Sequence, residues 1–391
     1  AFFAAGRKTV AFFKNIIAKN RLQRYLAQNT SHFCNMRRRI LAQPVGTSGN
    51  CDFAALFNRL NHFFLSICAK NFVWRRRNFI ISFVQKNCFQ FYKKFYIIIQ
   101  PMKKTQFYKL FGGLGNQLFQ YAYGLGQIEN GEKLRFILNK DASTRNSLSI
   151  NELFEIDNSL IIAPKSKIGL NFYKFYAKYL CKTWHADFFQ EYGFAENLNK
   201  LQKSPKFGFK KIELYEKSTE SAFIKAKNAV SLHIRGGDYN RIDVFRDFGN
   251  ICNLEYYRNA IKTVCAEIAD PVFIIFTNDA KFAHNFIEEI KKDEYFLQNS
   301  VNFLFLNEIC ESKKAQELQN NSAKTKKDDA FELYLQSICK ANIIANSTYS
   351  WWGAFFNQNP EKIVISPKKW HNSRPQMIDD LVPNRCNWRK I

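Results

Sequence analysis

The pattern of apolar and polar residues changes near residue 102. From there to the end, short apolar runs alternate with segments of helical period. The apolar runs predict strands at Thr105–Phe111, Leu134–Asn139, Ala229–Ile234, Val272–Phe276, Asn302–Leu306, Ala341–Ala345 and Lys362–Ser366. Helices are predicted after the first strand to about Gln127, and at Leu254–Ile268, Asp328–Lys340 and Trp351–Asn357. This alternation is typical of parallel sheets in an α/β protein.

The length of the chain indicates more than one domain. It has 391 residues, whereas a single hydrophobic core stops growing at about 250–300 residues. We therefore expect domains at residues 102–225 and 226–391, after an atypical segment at 1–101. Residues 151–225 are mixed, aromatic and rich in Lys, and the charged stretch 311–329 is predicted to be an exposed insertion.

The first 101 residues are basic and aromatic, and they show no sustained period. They hold 17 Lys and Arg against one acidic residue, Asp52. We interpret them as translated sequence upstream of a start at Met102. A disposable extension and a functional basic arm for membrane or nucleic acid remain the alternatives. Because most of the net charge of +25 lies in this segment, that charge says little about the α/β part.

The spacing of Cys and His residues and the length of the apolar runs narrow the class of protein to which the chain can belong. The ten Cys and six His are scattered, without a CxxC pair or zinc spacing, which fits free thiols in a reducing compartment. No apolar run reaches the roughly 18 residues that cross a bilayer, and no secretory signal is recognisable. The sequence thus predicts a cytoplasmic protein without a transmembrane helix or a metal site.

A glycine-rich motif, Gly112–Gln117, lies between the first strand and the first helix. Glycines let the backbone approach a ligand closely, and a helix N-terminus favours negative charge. The motif lacks the third Gly of the dinucleotide pattern and the Gly-Lys of a P-loop. It is either a ligand-binding turn or a tight connection without a ligand.

A second motif, Ser231–Tyr239, leads from an apolar strand into a loop with His233, Arg235 and Asp238. Ligands of α/β sheets gather at the carboxyl ends of strands, and the Arg fork suits a phosphate. Arg235 therefore indicates a site that stabilises a departing diphosphate. A salt bridge from Arg235 to Asp238 is the alternative.

Two further strand ends carry polar residues. Asp279 is suited to hold a base or ribose, or alternatively to cap the helix that follows. The segment Asn346–Trp352 offers hydroxyls and helix amides to a phosphate. Within it, Ser350 is predicted as the helix N-cap and the Trp pair as core packing.

Taken in order, these motifs resemble glycosyltransferase family 11, the α-1,2-fucosyltransferases. The resemblance covers about residues 104–372, and no part of residues 1–101 belongs to it. It rests on Lys109–Gly124, His233–Tyr239, Glu255–Tyr257, Phe276–Asp279, Asn346–Trp352 and Ser366–Trp370.

The resemblance implies a GT-B fold, in which two Rossmann-like domains face each other across a cleft. Residues 102–225 are then the acceptor-side domain and 226–391 the GDP-fucose-binding domain. The implied reaction moves L-fucose from GDP-fucose to a terminal β-galactose, with inversion and without a metal or other cofactor. Expected partners are GDP-fucose, a galactoside glycan such as lipopolysaccharide or O-antigen, and an anionic membrane by peripheral contact, but no nucleic acid.

The same resemblance implies roles for individual residues. The implied catalytic set is Arg235, Asp238 and His233. Donor contacts are carried over to Arg235, Asp279, Asn346, Ser347 and Thr348. Residues implied to line the cleft are Gly113, Asn116, Gln117 and Tyr239.

Three positions depart from the family pattern. Gly236 stands where a second Arg is usual, Asn278 replaces an acidic residue, and Ala341 replaces a His, while the usual upstream acid is present as Glu332. These departures leave two alternatives open. One is a fucosyltransferase of another linkage, and the other is a pseudoenzyme that binds a GDP-sugar and carries a basic membrane- or nucleic-acid-binding arm.

Overall fold

The computed structural model describes residues 105–138, 149–164, 167–200, 207–237, 241–309 and 328–391. All of them lie within one compact unit, Ile99–Ile391. The expectations for residues 1–101, for Asp238 and Tyr239, and for most of the insertion at 311–329 lie outside the described residues.

Two parallel sheets organise the described chain. Its strands are β1 (Thr105–Leu110), β2 (Lys133–Leu138), β3 (Phe154–Glu155), β4 (Ile161–Ile162), β5 (Trp184–His185), β6 (Gly208–Phe209), β7 (Ala229–Ile234), β8 (Val272–Thr277), β9 (Asn302–Phe305), β10 (Ala341–Ile343), β11 (Ile363–Ser366) and β12 (Arg389–Lys390). The first sheet has the order β4-β2-β1-β5 and the second β12-β11-β10-β7-β8-β9, with all neighbours parallel. A separate antiparallel pair joins β3 to β6. This confirms the predicted α/β class, with the two Rossmann-like sheets of the GT-B arrangement.

Helices follow most of the strands, as the alternating pattern predicts. The α-helices are α1 (Leu114–Glu129), α2 (Ile150–Leu153), α3 (Lys167–Phe175), α4 (Tyr192–Lys200), α5 (Ile212–Glu216), α6 (Thr219–Ala226), α7 (Ile242–Phe248), α8 (Leu254–Glu267), α9 (Ala280–Lys291), α10 (Glu294–Gln298), α11 (Asp329–Ser337), α12 (Thr348–Phe356) and α13 (Met377–Leu381). Of the two longest, α8 buries one face at helical spacing, whereas α1 is buried on most sides along its first three turns.

The second sheet has its core at β7 and β8. All six residues of β7 are buried, and so are the four central residues of β8. Strands covered on both faces read as continuous apolar runs, which is why the sequence predicts β7 without ambiguity. The two strands pair in register from Ala229–Val272 to Ile234–Thr277.

The strand order of each sheet identifies a point where the chain reverses direction across it. From β7 the chain proceeds through β8 to β9 on one side, and β10, β11 and β12 lie on the other side. The switch point is therefore between β7 and β10. In the first sheet, β2 and β4 lie on one side of β1 and β5 on the other. Ligands of such sheets bind beside the carboxyl ends of the strands at the switch point.

Two predicted helix boundaries are wrong. Helix α12 begins at Thr348 with Ser347 as its N-cap residue, three residues before the predicted start. Ser350 lies inside the helix, where its hydroxyl donates to the carbonyl of Ser347 at 3.3 Å. Helix α11 ends at Ser337 instead of residue 340, because the backbone N–H of Lys340 already pairs with β7 at Ala229.

Candidate active site

Strand β7 places His233 and Arg235 at the centre of the second sheet. The His233 side chain is 2% exposed, and its ring lies 6.0 Å from the ring of Tyr349. Tyr257 donates its hydroxyl hydrogen to the His233 carbonyl at 2.7 Å. Arg235, the first residue after the strand, is half-buried. The backbone from which Arg235 extends is thus held by a fully buried strand at the centre of the sheet.

Arg235 follows the strand at the switch point, between two other polar loops. On one side, the register of β8 places Asn278 at the level of Arg235. On the other side, the register of β10 places Asn346 at a matching level. The three strand ends that the sequence predicted as ligand-binding segments therefore meet at one edge of the sheet.

Asn278 and Phe282 hold the loop after Arg235. Asn278 accepts the Gly236 N–H at 3.1 Å and donates to the Gly236 carbonyl at 3.3 Å. A Cβ on Gly236 would lie 2.7 Å from a ring carbon of Phe282 and 3.1 Å from Cβ of Asp279. A second Arg therefore does not fit at 236 unless Phe282 moves. Only an amide makes both bonds, because a carboxylate cannot donate, so the departures at 236 and 278 fit each other.

Asp279 caps helix α9. Its carboxylate accepts the backbone N–H of Phe282 at 3.1 Å, and its own N–H donates to the hydroxyl of Thr277 at 3.0 Å. This is the capping role that the sequence left open as an alternative. A contact between Asp279 and a nucleoside stays a prediction.

The side chain of Asn346 is committed to the protein interior. Asn346 is 2% exposed, and its amide donates to the carbonyls of Phe248 at 3.0 Å and Trp370 at 3.3 Å. Its backbone N–H points at the sulfur of Cys252 at 3.3 Å. Asn346 therefore ties the end of β10 to the neighbouring loops, and its predicted donor contact has to come from the backbone or from a rearranged side chain.

Thr348 lies at the contact between the two sheets, and its hydroxyl is bonded within the protein. Its hydroxyl donates to the Oδ1 of Asn116 at 3.0 Å, and Gln190 donates to the same oxygen at 2.8 Å. A Cβ on Gly115 would lie 2.6 Å from the Thr348 carbonyl carbon. Ser347, which precedes Thr348, is 6% exposed and makes no capping hydrogen bond. Because Ser347 and the first amides of α12 follow β10, this segment lies beside the switch point.

The glycine-rich turn has exposed and buried residues. Gly113 is exposed, whereas Gln117 is 3% exposed. The Gln117 amide donates to the Gly112 carbonyl at 2.9 Å and accepts the Ile150 N–H at 3.2 Å. Gly112 has a φ of 76°, a conformation that favours glycine. Gln117 thus stabilises the turn from inside, which places Gly113 and Asn116, but not the Gln117 side chain, at the turn's surface.

A half-buried tyrosine connects the edge of the second sheet to α11. Tyr349 donates to the Asp329 carbonyl at 2.6 Å. Burial raises the pKa of Tyr349 well above its usual value, and the negative charge of Glu332 adds to this. Tyr349 is therefore a neutral hydrogen-bond donor at physiological pH, and it brings the region of Glu332 towards His233.

Sequence reasoning missed three residues of this region: Cys252, Phe282 and Gln190. Each acts on a strand-end motif from a helix or loop that is distant in sequence. Phe282 had a usable signal, because a helix that starts with Asp279 as its cap places the third following residue on the first turn. Cys252 and Gln190 had none, since their positions depend on tertiary contacts.

No group of three or more His, Cys, Asp or Glu side chains within the described ranges is placed to hold a metal ion. No helix in the same residues is both long and apolar enough to cross a membrane.

Comparison with known proteins gives relatives along the same part of the chain. The chain is 27% identical over 308 residues to the O-antigen biosynthesis glycosyltransferase WbnK of Escherichia coli, covering 67% of this chain and 93% of WbnK. It is 29% identical over 314 residues to an α-1,2-colitosyltransferase of Escherichia coli, covering 72% of this chain and 97% of that enzyme.

A solved structure, the NodZ α-1,6-fucosyltransferase soaked with GDP-fucose, matches 65% of this chain and 92% of NodZ at 10% identity and a TM-score of 0.36. That likeness is too slight to carry a conclusion. The profile of "Glycosyl transferase family 11" matches residues 109–391, which is most of the chain and begins near the end of β1. The chain therefore belongs to glycosyltransferase family 11 and is a glycosyltransferase.

Proposed function

We propose that this enzyme is an α-1,2-fucosyltransferase that moves L-fucose from GDP-fucose to a terminal β-galactose of a glycan. Membership of family 11 supports the fucosyl donor. The α-1,2-colitosyltransferase relative supports the linkage, and the O-antigen relative supports a polysaccharide acceptor. We further propose that the reaction inverts the anomeric carbon and needs no metal.

The observation that carries this proposal is the position of Arg235. Arg235 directly follows the fully buried strand β7, at the switch point of a six-stranded parallel sheet. The first amides of α12 lie at the next strand end on the same edge. A fixed cation and helix amides at such a point suit the two negative phosphates of a nucleotide sugar.

The proposed chemistry follows from these charges. The bond between C1 of fucose and the β-phosphate oxygen breaks, and its electron pair leaves with GDP. Arg235 stabilises the charge that develops on that oxygen. The acceptor hydroxyl forms the new bond to C1 from the opposite face, and its proton passes to Asp238 or His233. The low exposure of His233 argues against it as the group that meets an acceptor.

The test is the Arg235→Ala substitution in the full chain, with GDP release measured on GDP-fucose and a panel of β-galactosides. Loss of a charge-stabilising donor costs about 10²–10³ in kcat. Arg235→Lys should recover part of the loss, because it restores the charge without the fork. Arg385→Ala is the matched control, since Arg385 is an exposed arginine paired with Glu196. Near-normal turnover by Arg235→Ala refutes the assignment.

A second candidate function is the transfer of colitose instead of fucose, which the α-1,2-colitosyltransferase relative supports. Parallel assays with GDP-fucose and GDP-colitose, followed by linkage analysis of the product, separate the donor and linkage possibilities. Donor binding without any turnover would identify the pseudoenzyme alternative. Unchanged activity after dialysis against EDTA is the expected result for a metal-independent reaction.

A further inference from the structure

Helix α7 presents an apolar face to solvent beside the candidate active site. Ile242 is 94% exposed and Phe245 is 47% exposed. The two are three residues apart and therefore lie on the same side of the helix. No residue of α7 itself is buried. Neighbouring exposed apolar side chains of this kind mark an interaction surface.

The end of α7 is fixed to the edge of the second sheet. The Asn346 amide donates to the Phe248 carbonyl at 3.0 Å. Asn372 donates its backbone N–H to the Asp247 carbonyl at 2.7 Å and its side-chain amide to the Gly249 carbonyl at 3.1 Å. Because Asn346 and Asn372 follow β10 and β11, α7 is held at the same edge as Arg235. Its apolar face therefore has a defined place on the molecule.

Charged side chains lie on α7 and on the segment that bonds its carboxyl end. Arg241 and Arg246 are exposed and pair with Asp243 at 2.9 Å and with Asp247 at 3.5 Å, respectively. Lys368, Lys369 and Arg374, in the segment that bonds the end of α7, are exposed as well. We call the exposed residues of 241–247 and 368–374 the α7 surface. Its basic residues are Arg241, Arg246, Lys368, Lys369 and Arg374, and its acidic residues are Asp243 and Asp247. The α7 surface is thus positively charged around two apolar side chains.

We propose that the α7 surface docks on an anionic phospholipid bilayer. Ile242 and Phe245 enter the headgroup region, and Lys368, Lys369 and Arg374 contact lipid phosphates. Two apolar side chains on one short helix do not supply the roughly 1,000 Å² of packed area that a stable protein interface needs. They do suit a bilayer, where a few apolar groups act together with basic residues. Docking in this way holds the Arg235 edge of the sheet beside the membrane surface.

The experiment measures hydrogen–deuterium exchange of the full chain with and without vesicles, followed peptide by peptide. Vesicles of phosphatidylcholine with phosphatidylglycerol should slow exchange in residues 241–249 and 368–374, and pure phosphatidylcholine should not. The local readout separates this surface from any contact made by residues 1–101. Because the assay contains neither donor nor acceptor, its outcome is independent of the proposed transferase activity.

A pair of variants sharpens the test. Ile242→Glu with Phe245→Glu should weaken the vesicle protection of 241–249 about tenfold or more, since burying one such side chain is worth roughly a factor of ten or more. Leu297→Glu is the matched control, because Leu297 is 74% exposed on the short helix α10, and it should leave the protection unchanged. Unfolding temperatures of all variants check that the fold is kept.

Several results overturn the proposal. Vesicle association without slower exchange at 241–249 assigns docking to another part of the chain. No association with anionic vesicles, equal protection by neutral ones, or equal loss in Leu297→Glu each contradicts it. If a variant does not fold, the exchange measurements on the wild-type chain with anionic and with neutral vesicles still test the proposal.

Discussion

A single side-chain amide determines the shape of the loop that follows Arg235. Asn278 binds both the N–H and the carbonyl of Gly236, and the ring of Phe282 fills the space beside that glycine. Asn278 and Phe282 thus hold a loop that has Gly236 where the family pattern has a second Arg. Arg235 is therefore positioned by neighbours that never need to touch a substrate.

Replacing Asn278 by Asp tests this positioning. The carboxylate keeps one acceptor but loses the donor to the Gly236 carbonyl, so we expect a loss of about 1 kcal/mol in unfolding free energy. A displaced Arg235 should raise KM for the donor more than this stability loss explains. Urea unfolding and donor titrations measure the two effects. Asn299→Asp, an exposed control whose amide bonds only the Tyr295 carbonyl, should leave KM unchanged; an equal rise in both variants contradicts the idea.

Cys252 provides a second prediction for a single residue. Burial raises the pKa of its thiol to about 12, so at pH 8 only about one molecule in 10⁴ carries the reactive thiolate. Alkylation of Cys252 in the native chain should be about a thousandfold slower than for an ordinary cysteine. Mass spectrometry of peptides after iodoacetamide treatment measures this, with the urea-unfolded chain as the reference. Rapid native labelling of Cys252 contradicts the raised pKa of this half-buried thiol.

The elements show most clearly what the sequence can and cannot predict. Strands β7 and β8 are long, apolar and buried on both faces, so their pattern is unambiguous. The two-residue strands, such as β5 and β12, are too short to carry any period. The start of α12 was missed because Thr-Tyr-Ser has weak helix propensity, whereas burial of Trp351 and Trp352 at 0% exposure extends the helix over these residues. The buried Trp pair itself was predicted correctly as core.

The same division holds for the candidate site. The meeting of three strand ends at one edge follows from parallel strands and was predictable from spacing. The interior bonds of Asn346 and Gln117 were not, because their partners lie on other elements. The placement of loops is thus encoded locally, while the direction of each polar side chain depends on the whole fold.

Lys362, at the carboxyl end of α12, predicts how the free energy of unfolding depends on pH. Lys362 donates to the carbonyls of Ala354 at 2.9 Å and Asn357 at 2.5 Å, and burial lowers its pKa to about 8. The unfolded chain therefore binds this proton between about pH 8 and about pH 10.4, where the folded chain has released it. Unfolding free energy should accordingly rise with pH across that window.

Lys362→Met isolates this contribution. The difference in unfolding free energy between wild type and Lys362→Met should shift in favour of wild type as pH rises from 8 to 10.4, and should be flat below pH 8. Urea unfolding at several pH values measures it, and other titrating groups cancel in the difference. A pH-independent difference shows that Lys362 titrates normally.

At the scale of the whole molecule, the two sheets are joined where α1 meets α12. Thr348 binds Asn116, Trp352 donates its indole N–H to the Gly115 carbonyl at 2.9 Å, and the ring of Phe119 lies 4.7 Å and 4.8 Å from the two Trp rings. This junction fixes the glycine-rich turn against the strand-end loop that precedes α12. The candidate site is thus assembled from both sheets at a close-packed contact.

A double-mutant cycle of Asn116→Ala and Thr348→Val measures the polar part of the junction. We expect a coupling free energy of about 0.5–1.5 kcal/mol, the usual net value of such a hydrogen bond. Thr348→Ser, which keeps the hydroxyl, should retain most of the coupling. Thermal or urea unfolding supplies the four free energies, and purely additive effects show that the bond does not contribute.

The junction also bears on the order in which the molecule is made. Trp352 and Gly115 are 237 positions apart in sequence, which corresponds to roughly ten to fifty seconds of synthesis. During that time the first sheet has left the ribosome while its aromatic partner is still untranslated. Until the last part of the chain has been synthesised, Phe119 beside the glycine-rich turn is not covered by the two Trp rings. A pause or truncation late in translation therefore exposes the surface on which the finished enzyme depends.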